Sequence, residues 1–142
     1  MFSTSFAASP AHPLAFANAY RQVGVQSEVG NASPHRLIAL LFDGFVEAVA
    51  QARGALRGGQ VETKCRAIGR AARIVDEGLR AALDLREGGA LAADLSALYG
   101  YLSMRLTHAN LHNDEAALAE CERLIQPLRE AWQAIGPQAG AR

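Results

Sequence analysis

From residue 34 onward, apolar positions recur at steps of three and four, the spacing that keeps side chains on one face of an α-helix. The first run, about 34–57, carries Ile38, Leu41, Phe45, Val49, Ala52 and Leu56, with Ser33 as its cap and Pro34 in its first turn. Asp43-Gly44 lies inside it; such a pair often marks a turn, but the periodicity continues on both sides. A second run, about 61–86, passes through Val61, Cys65, Ile68, Ala72, Val75, Leu79 and Ala82. The third, about 90–112, reads Leu91, Leu95, Leu98, Leu102, Leu106 and Ala109. The fourth, about 114–135, reads Leu118, Cys121, Ile125, Leu128, Trp132 and Ile135, with Asn113 or Asp114 as its cap. Pro127 predicts a kink near 123–127. No stretch alternates with period two for long enough to make a strand. Four helices of similar length with short connections predict an all-α fold, an antiparallel up-down four-helix bundle. Residues 14–136 make up its single domain and begin with a short helix or arm through Leu14, Phe16, Tyr20 and Val23. Residues 1–13 and 137–142 are expected to be disordered tails.

A bundle helix needs one apolar stripe, and three of these carry more. On the first, Leu37, Leu40, Gly44 and Ala48 widen the stripe to an arc of about 200°. On the second, Ala67, Ala71, Ile74, Gly78, Ala81 and Leu85 form a second line of mainly small residues. On the third, Ala97, Tyr101, Met104, His108 and Leu111 lie about 135° from the leucine face, with Asp94, Arg105 and His112 between. Part of the excess follows if the first helix packs against two neighbours and the third is central. The rest suggests an external groove, floored by small residues and an adaptable Met/Tyr line, that receives an apolar helix from a partner. A monomer seldom leaves so large a patch bare. A partner, a second copy of the chain or its own arm, through Phe16, Tyr20 and Val23, should cover it.

Composition narrows the chemistry. Half the residues are hydrophobic but only 6% are aromatic, so the core must be aliphatic and alanine-rich. Fourteen basic and fourteen acidic side chains cancel, leaving no overall field to attract nucleic acid or an anionic membrane. Arg53, Arg57, Lys64, Arg66, Arg70 and Arg73 cluster around one turn without interleaved aromatics, which reads as a solvated face. Cys65 and Cys121 fall on apolar faces in no metal-binding or redox motif, so both are expected to be free, buried thiols. With no signal-peptide pattern and no apolar run near the ~18 residues of a membrane span, the expected setting is the cytosol, without membrane insertion. His108 and His112 have the i, i+4 spacing of two metal ligands, yet no HExxH or ExxH accompanies them. Phosphate loops and nucleophile elbows are missing too, so neither an enzyme nor a cofactor is expected. The competing reading is a homo-oligomeric bundle that buries the surplus surface on itself and uses the His108/His112 pair for metal.

Five stretches resemble the flagellar export chaperone FliS family: AYRQVGVQS at 19–27, ASPHRLIALLFDG at 32–44, KCRAIGRAARIVDEGLRAALD at 64–84, LSALYGYLSMRLTHANLHND at 95–114 and LREAW at 128–132. They occur in the family's order with matching gaps. The resemblance implies a cytosolic helical bundle that binds the C-terminal helical segment of newly made flagellin. Such a chaperone stops premature polymerisation and helps deliver flagellin to a membrane component of the flagellar type III export gate. In that family a tyrosine-bearing N-terminal segment lies over part of the groove and is displaced by flagellin, and Tyr20 is the matching residue here.

Overall fold

The structure, a computed structural model, describes residues 32–136. The predicted arm, with Tyr20 and Val23, and both predicted tails lie outside these residues. The described chain consists of four helices and contains no strand: α1 (Pro34–Arg57), α2 (Val61–Arg73, continued by a π-helical segment Ile74–Leu79), α3 (Gly89–His112) and α4 (Glu115–Ile135). None of them is long and apolar enough to cross a membrane.

The local signals act as expected at most ends. The Ser33 hydroxyl accepts from the Arg36 amide at 3.1 Å, and Pro34, which has no N–H to leave unsatisfied, opens α1. Asn113 takes a left-handed conformation, φ 52°, to end α3, and the Asp114 carboxylate accepts from the Ala117 amide to start α4. α1 runs unbroken through Asp43-Gly44, and α4 carries Pro127 on its exposed side without interruption.

Pairs of side chains establish the directions. Along α1 and α4, Asp43 meets Arg129 and Arg53 meets Glu115 and Glu122; along α1 and α2, Leu41 meets Gly78, Gly44 faces Ile74 and Glu47 meets Arg70. On α2 and α3, Lys64 meets Asn110 and Asp76 meets Ser103; on α3 and α4, Tyr101 meets Glu120 and His108 meets Asp114. In each pair numbering rises along one helix as it falls along the other, so every neighbour is antiparallel and the helices follow one another around a closed square.

One boundary and parts of the core differ from the periodicity. α2 stops at Leu79 instead of about 86. The Arg80 amide bonds five residues back to Val75, and the chain then turns on the Asp84 carboxylate, which accepts from the amides of Arg86 and Glu87. At the start of α2 the buried face is rotated by one position. Lys64 is buried, only 4% exposed, whereas Cys65 and Val61 face solvent. The cause is polar: the Lys64 ammonium reaches the Asn110 carbonyl at 3.0 Å and the Asn113 side chain at 2.8 Å, capping the C-terminus of α3 while its methylene stem lies in the interior. The expectation of two buried thiols therefore holds only for Cys121, whose pKa burial pushes up to about 12, keeping it a thiol. Tyr99, four residues after Leu95 and three before Leu102, is buried with them, while Leu91 and Ile135, expected inside, are exposed.

α1 is fastened to α4 by a reciprocal clasp. The His35 ring stacks on Trp132 with centroids 4.8 Å apart, and His35 Nε2–H donates to the Trp132 carbonyl at 2.9 Å. Trp132 Nε1–H returns a bond of 2.9 Å to the His35 carbonyl. A carbonyl only accepts, so Nε2 carries the proton in this arrangement.

Candidate partner-binding surface

The surplus apolar positions separate into two sets. Leu37, Leu40, Gly44, Ala71, Ile74 and Gly78 are buried in the core cluster or the close packing that bounds it. At Gly44 and Gly78 the reason is close approach of α1 to α2. A Cβ on Gly44 would meet Ile74 Cδ1 at 3.2 Å, and one on Gly78 would meet both Leu41 methyls at 3.0 Å. The glycines make room for a neighbour within the bundle.

The α3 line stays open. Met104 is 57% and Leu111 74% exposed, with Ala97 and Tyr101 also exposed and His108 half-buried. Steps of three and four from 97 to 111 place these residues on one stripe about 21 Å long. Its edge toward α4 is polar and fixed. The Tyr101 hydroxyl donates to one Glu120 oxygen at 2.6 Å while Arg105 Nε donates to the other at 2.7 Å. The bond from Tyr101, then that from Arg105, holds the Glu120 carboxyl below its ordinary range; the same contact raises the Tyr101 phenol. Tyr101 is thus anchored by its hydroxyl with its ring toward the surface. Further along, His108 Nε2 lies 3.2 Å from Asp114, and its ring sits 4.5 Å from that of His112.

Sequence periodicity found the apolar stripe but not its polar edge. Glu120 belongs to another helix, and no spacing rule links it to Tyr101. A shallow furrow of about 630 Å³ between α1 and α4, lined by Val46, Arg53, Ala119, Gln126 and Pro127 among others, was equally invisible. Among the described residues no three His, Cys, Asp or Glu side chains are grouped to hold a metal.

Comparison with known proteins gives this surface a context. The family described as flagellar protein FliS matches residues 16–139. The flagellar secretion chaperone FliS of Salmonella typhimurium is 48% identical over 121 residues, covering 85% of this chain and 90% of that protein. The flagellar secretion chaperone FliSB of Pseudomonas aeruginosa is 44% identical over 116 residues, 82% of this chain and 91% of its own length. The FliS of Escherichia coli K12 is 37% identical over 115 residues, 81% and 85% respectively.

Proposed function

The chain belongs to the FliS family of flagellar proteins, and from that premise we propose that it is a cytosolic, non-enzymatic export chaperone for flagellin. Its cargo is the C-terminal helical segment of flagellin. The segment lays apolar side chains along Ala97, Tyr101, Met104, His108 and Leu111, read from the cargo helix at i, i+3, i+4 and i+7. The observation that carries this reading is the exposed Met104–Leu111 stripe, a strip of apolar surface that the bundle itself does not cover.

Binding draws on apolar burial, and no bond chemistry is involved. Methionine fits cargo of varied shape, and the Glu120 anchor holds Tyr101 at low entropic cost to binding. Because the cargo segment is disordered when free, ordering it offsets part of the gain, which keeps affinity modest and permits release at a membrane component of the export gate. Tyr20 and Val23 compete with cargo for part of this surface, as the family resemblance implies.

Titration calorimetry with a synthetic flagellin C-terminal peptide tests the reading. Saturable heat is expected, lost in Met104→Glu and strengthened in Tyr20→Ala, where the competing arm is weakened. Absence of heat, together with unchanged sedimentation at high micromolar peptide, would sink it; concentration-dependent self-association in that experiment would favour the homo-oligomer instead.

A further inference from the structure

The end of α3 carries two histidines with the i, i+4 spacing of a metal pair, and the fold adds geometry to that spacing. The rings of His108 and His112 lie against each other, with centroids 4.5 Å apart and planes tilted by 44°. His112 is exposed and forms no hydrogen bond or ion pair among the described residues, so its ring is free to turn about χ2. His108 has one polar partner, Asp114, with Nε2 3.2 Å from a carboxylate oxygen.

Asp114 is itself fixed, because its other oxygen accepts from the Ala117 amide at the start of α4. A carboxylate only accepts, so the neutral His108 ring carries its proton on Nε2 and keeps a lone pair on Nδ1. Carboxylates orient metal-bound histidines in the same way, by holding the ring nitrogen that does not bind the ion. The distance between the rings is informative as well. An ion about 2.1 Å from a ring nitrogen stands about 3.2 Å from that ring's centroid. Two imidazoles bound about 90° apart then have centroids about 4.5 Å apart, and two bound at the tetrahedral angle about 5.2 Å. The observed 4.5 Å matches the right angle.

We propose that His108 Nδ1 and a ring nitrogen of His112 chelate one divalent transition-metal ion that favours imidazole and right-angled bonds, Ni²⁺ or Cu²⁺, with water in its remaining positions. Asp114 stays outside the coordination sphere as the hydrogen-bond partner of His108. The ion therefore has two protein ligands, in keeping with the lack of any three-ligand group among the described residues. It links residues one turn apart at the end of α3 and, through Asp114, ties that end to the start of α4. Because His108 belongs to the exposed stripe, an occupied site also places positive charge at the stripe's Leu111 end.

The test uses the full chain carrying Cys65→Ser, which removes the exposed thiol as a competing ligand. Ni²⁺ alone is titrated in, followed by calorimetry, by paramagnetic broadening in proton spectra and by thermal unfolding. One ion per chain is expected to saturate below about 1 mM, broadening the His108 and His112 ring signals first and raising the thermal midpoint. His108→Gln and His112→Gln should each lose at least about tenfold in affinity with unchanged circular dichroism. Zn²⁺ should bind more weakly than Ni²⁺, and Mg²⁺ should leave both rings and midpoint unmoved. Broadening centred on other residues, or either single-histidine variant within about twofold of the parent, would overturn the proposal. So would tighter binding of Zn²⁺ than of Ni²⁺, or no saturation by about 1 mM ion.

Discussion

The α1–α2 seam and the outer face of α3 look alike on a helical wheel, each adding small or flexible apolar residues beside a main stripe, but the fold treats them in opposite ways. In the seam, Gly44 and Gly78 admit Ile74 and Leu41 so closely that the surplus surface is used up inside the bundle. On α3, Met104 and Leu111 remain largely in solvent. Periodicity measures how much apolar surface a helix offers, whereas only packing decides how much its neighbours take. The wide arc of α1 reflects two neighbours, and the second line of α3 is the remainder left in solvent.

The strongest perturbation of this comparison lies at the other edge of α1. Trp132→Ala removes the largest buried side chain, its stack on His35 and the Nε1–H bond to the His35 carbonyl, and should cost about 3–5 kcal/mol in a urea titration. A loss under about 1 kcal/mol would mean that α1 is held by the seam alone. Next comes Gly44→Leu, which drives a branched side chain onto Ile74 and Arg70. About 1–3 kcal/mol of destabilisation is expected, and a neutral result would show that the seam has slack. Met104→Glu should move stability by no more than about 0.5 kcal/mol while abolishing peptide heat. A large fall in its thermal midpoint would put that residue with the seam instead.

The smallest effect concerns pH. Glu120 has its pKa lowered by the bonds from Tyr101 and Arg105, so its contribution is fully present above the ordinary carboxylate value of 4.5 and is lost as pH falls through the folded value. Glu120→Gln should therefore flatten the acid limb of the stability profile. An acid limb of unchanged slope would remove Glu120 from the account.

Much of the fold was legible because helix ends are local chemistry. Ser33-Pro34 and Asp114 sit within a few residues of the groups they cap, and α1 and α4 end where glycines follow. What stayed hidden was carried by contacts between distant segments. The burial of Lys64 depends on carbonyl and amide groups 46 and 49 residues away, so a sequence window sees only a charged residue and assigns the interior to Cys65. The split of the candidate site has the same origin. Leu37, Leu40, Gly44, Ala71, Ile74 and Gly78 belong to surplus apolar lines just as the exposed α3 residues do, and at Gly44 and Gly78 the closeness of α1 to α2 accounts for the burial.

The clasp between His35 and Trp132 has a mechanical consequence. Ala32 and Gly136, the first and last described residues, lie at the same end of the bundle, beside that clasp. Tension applied between them loads His35 and Trp132 first, then the Asp43–Arg129 link, then Arg53 with Glu122, and finally Arg57 with Glu115. The links are strained in series, as in a zipper, and never share the load as they would in shear. A bundle that resists heat through all of its contacts at once can therefore be peeled open from its ends by a small force.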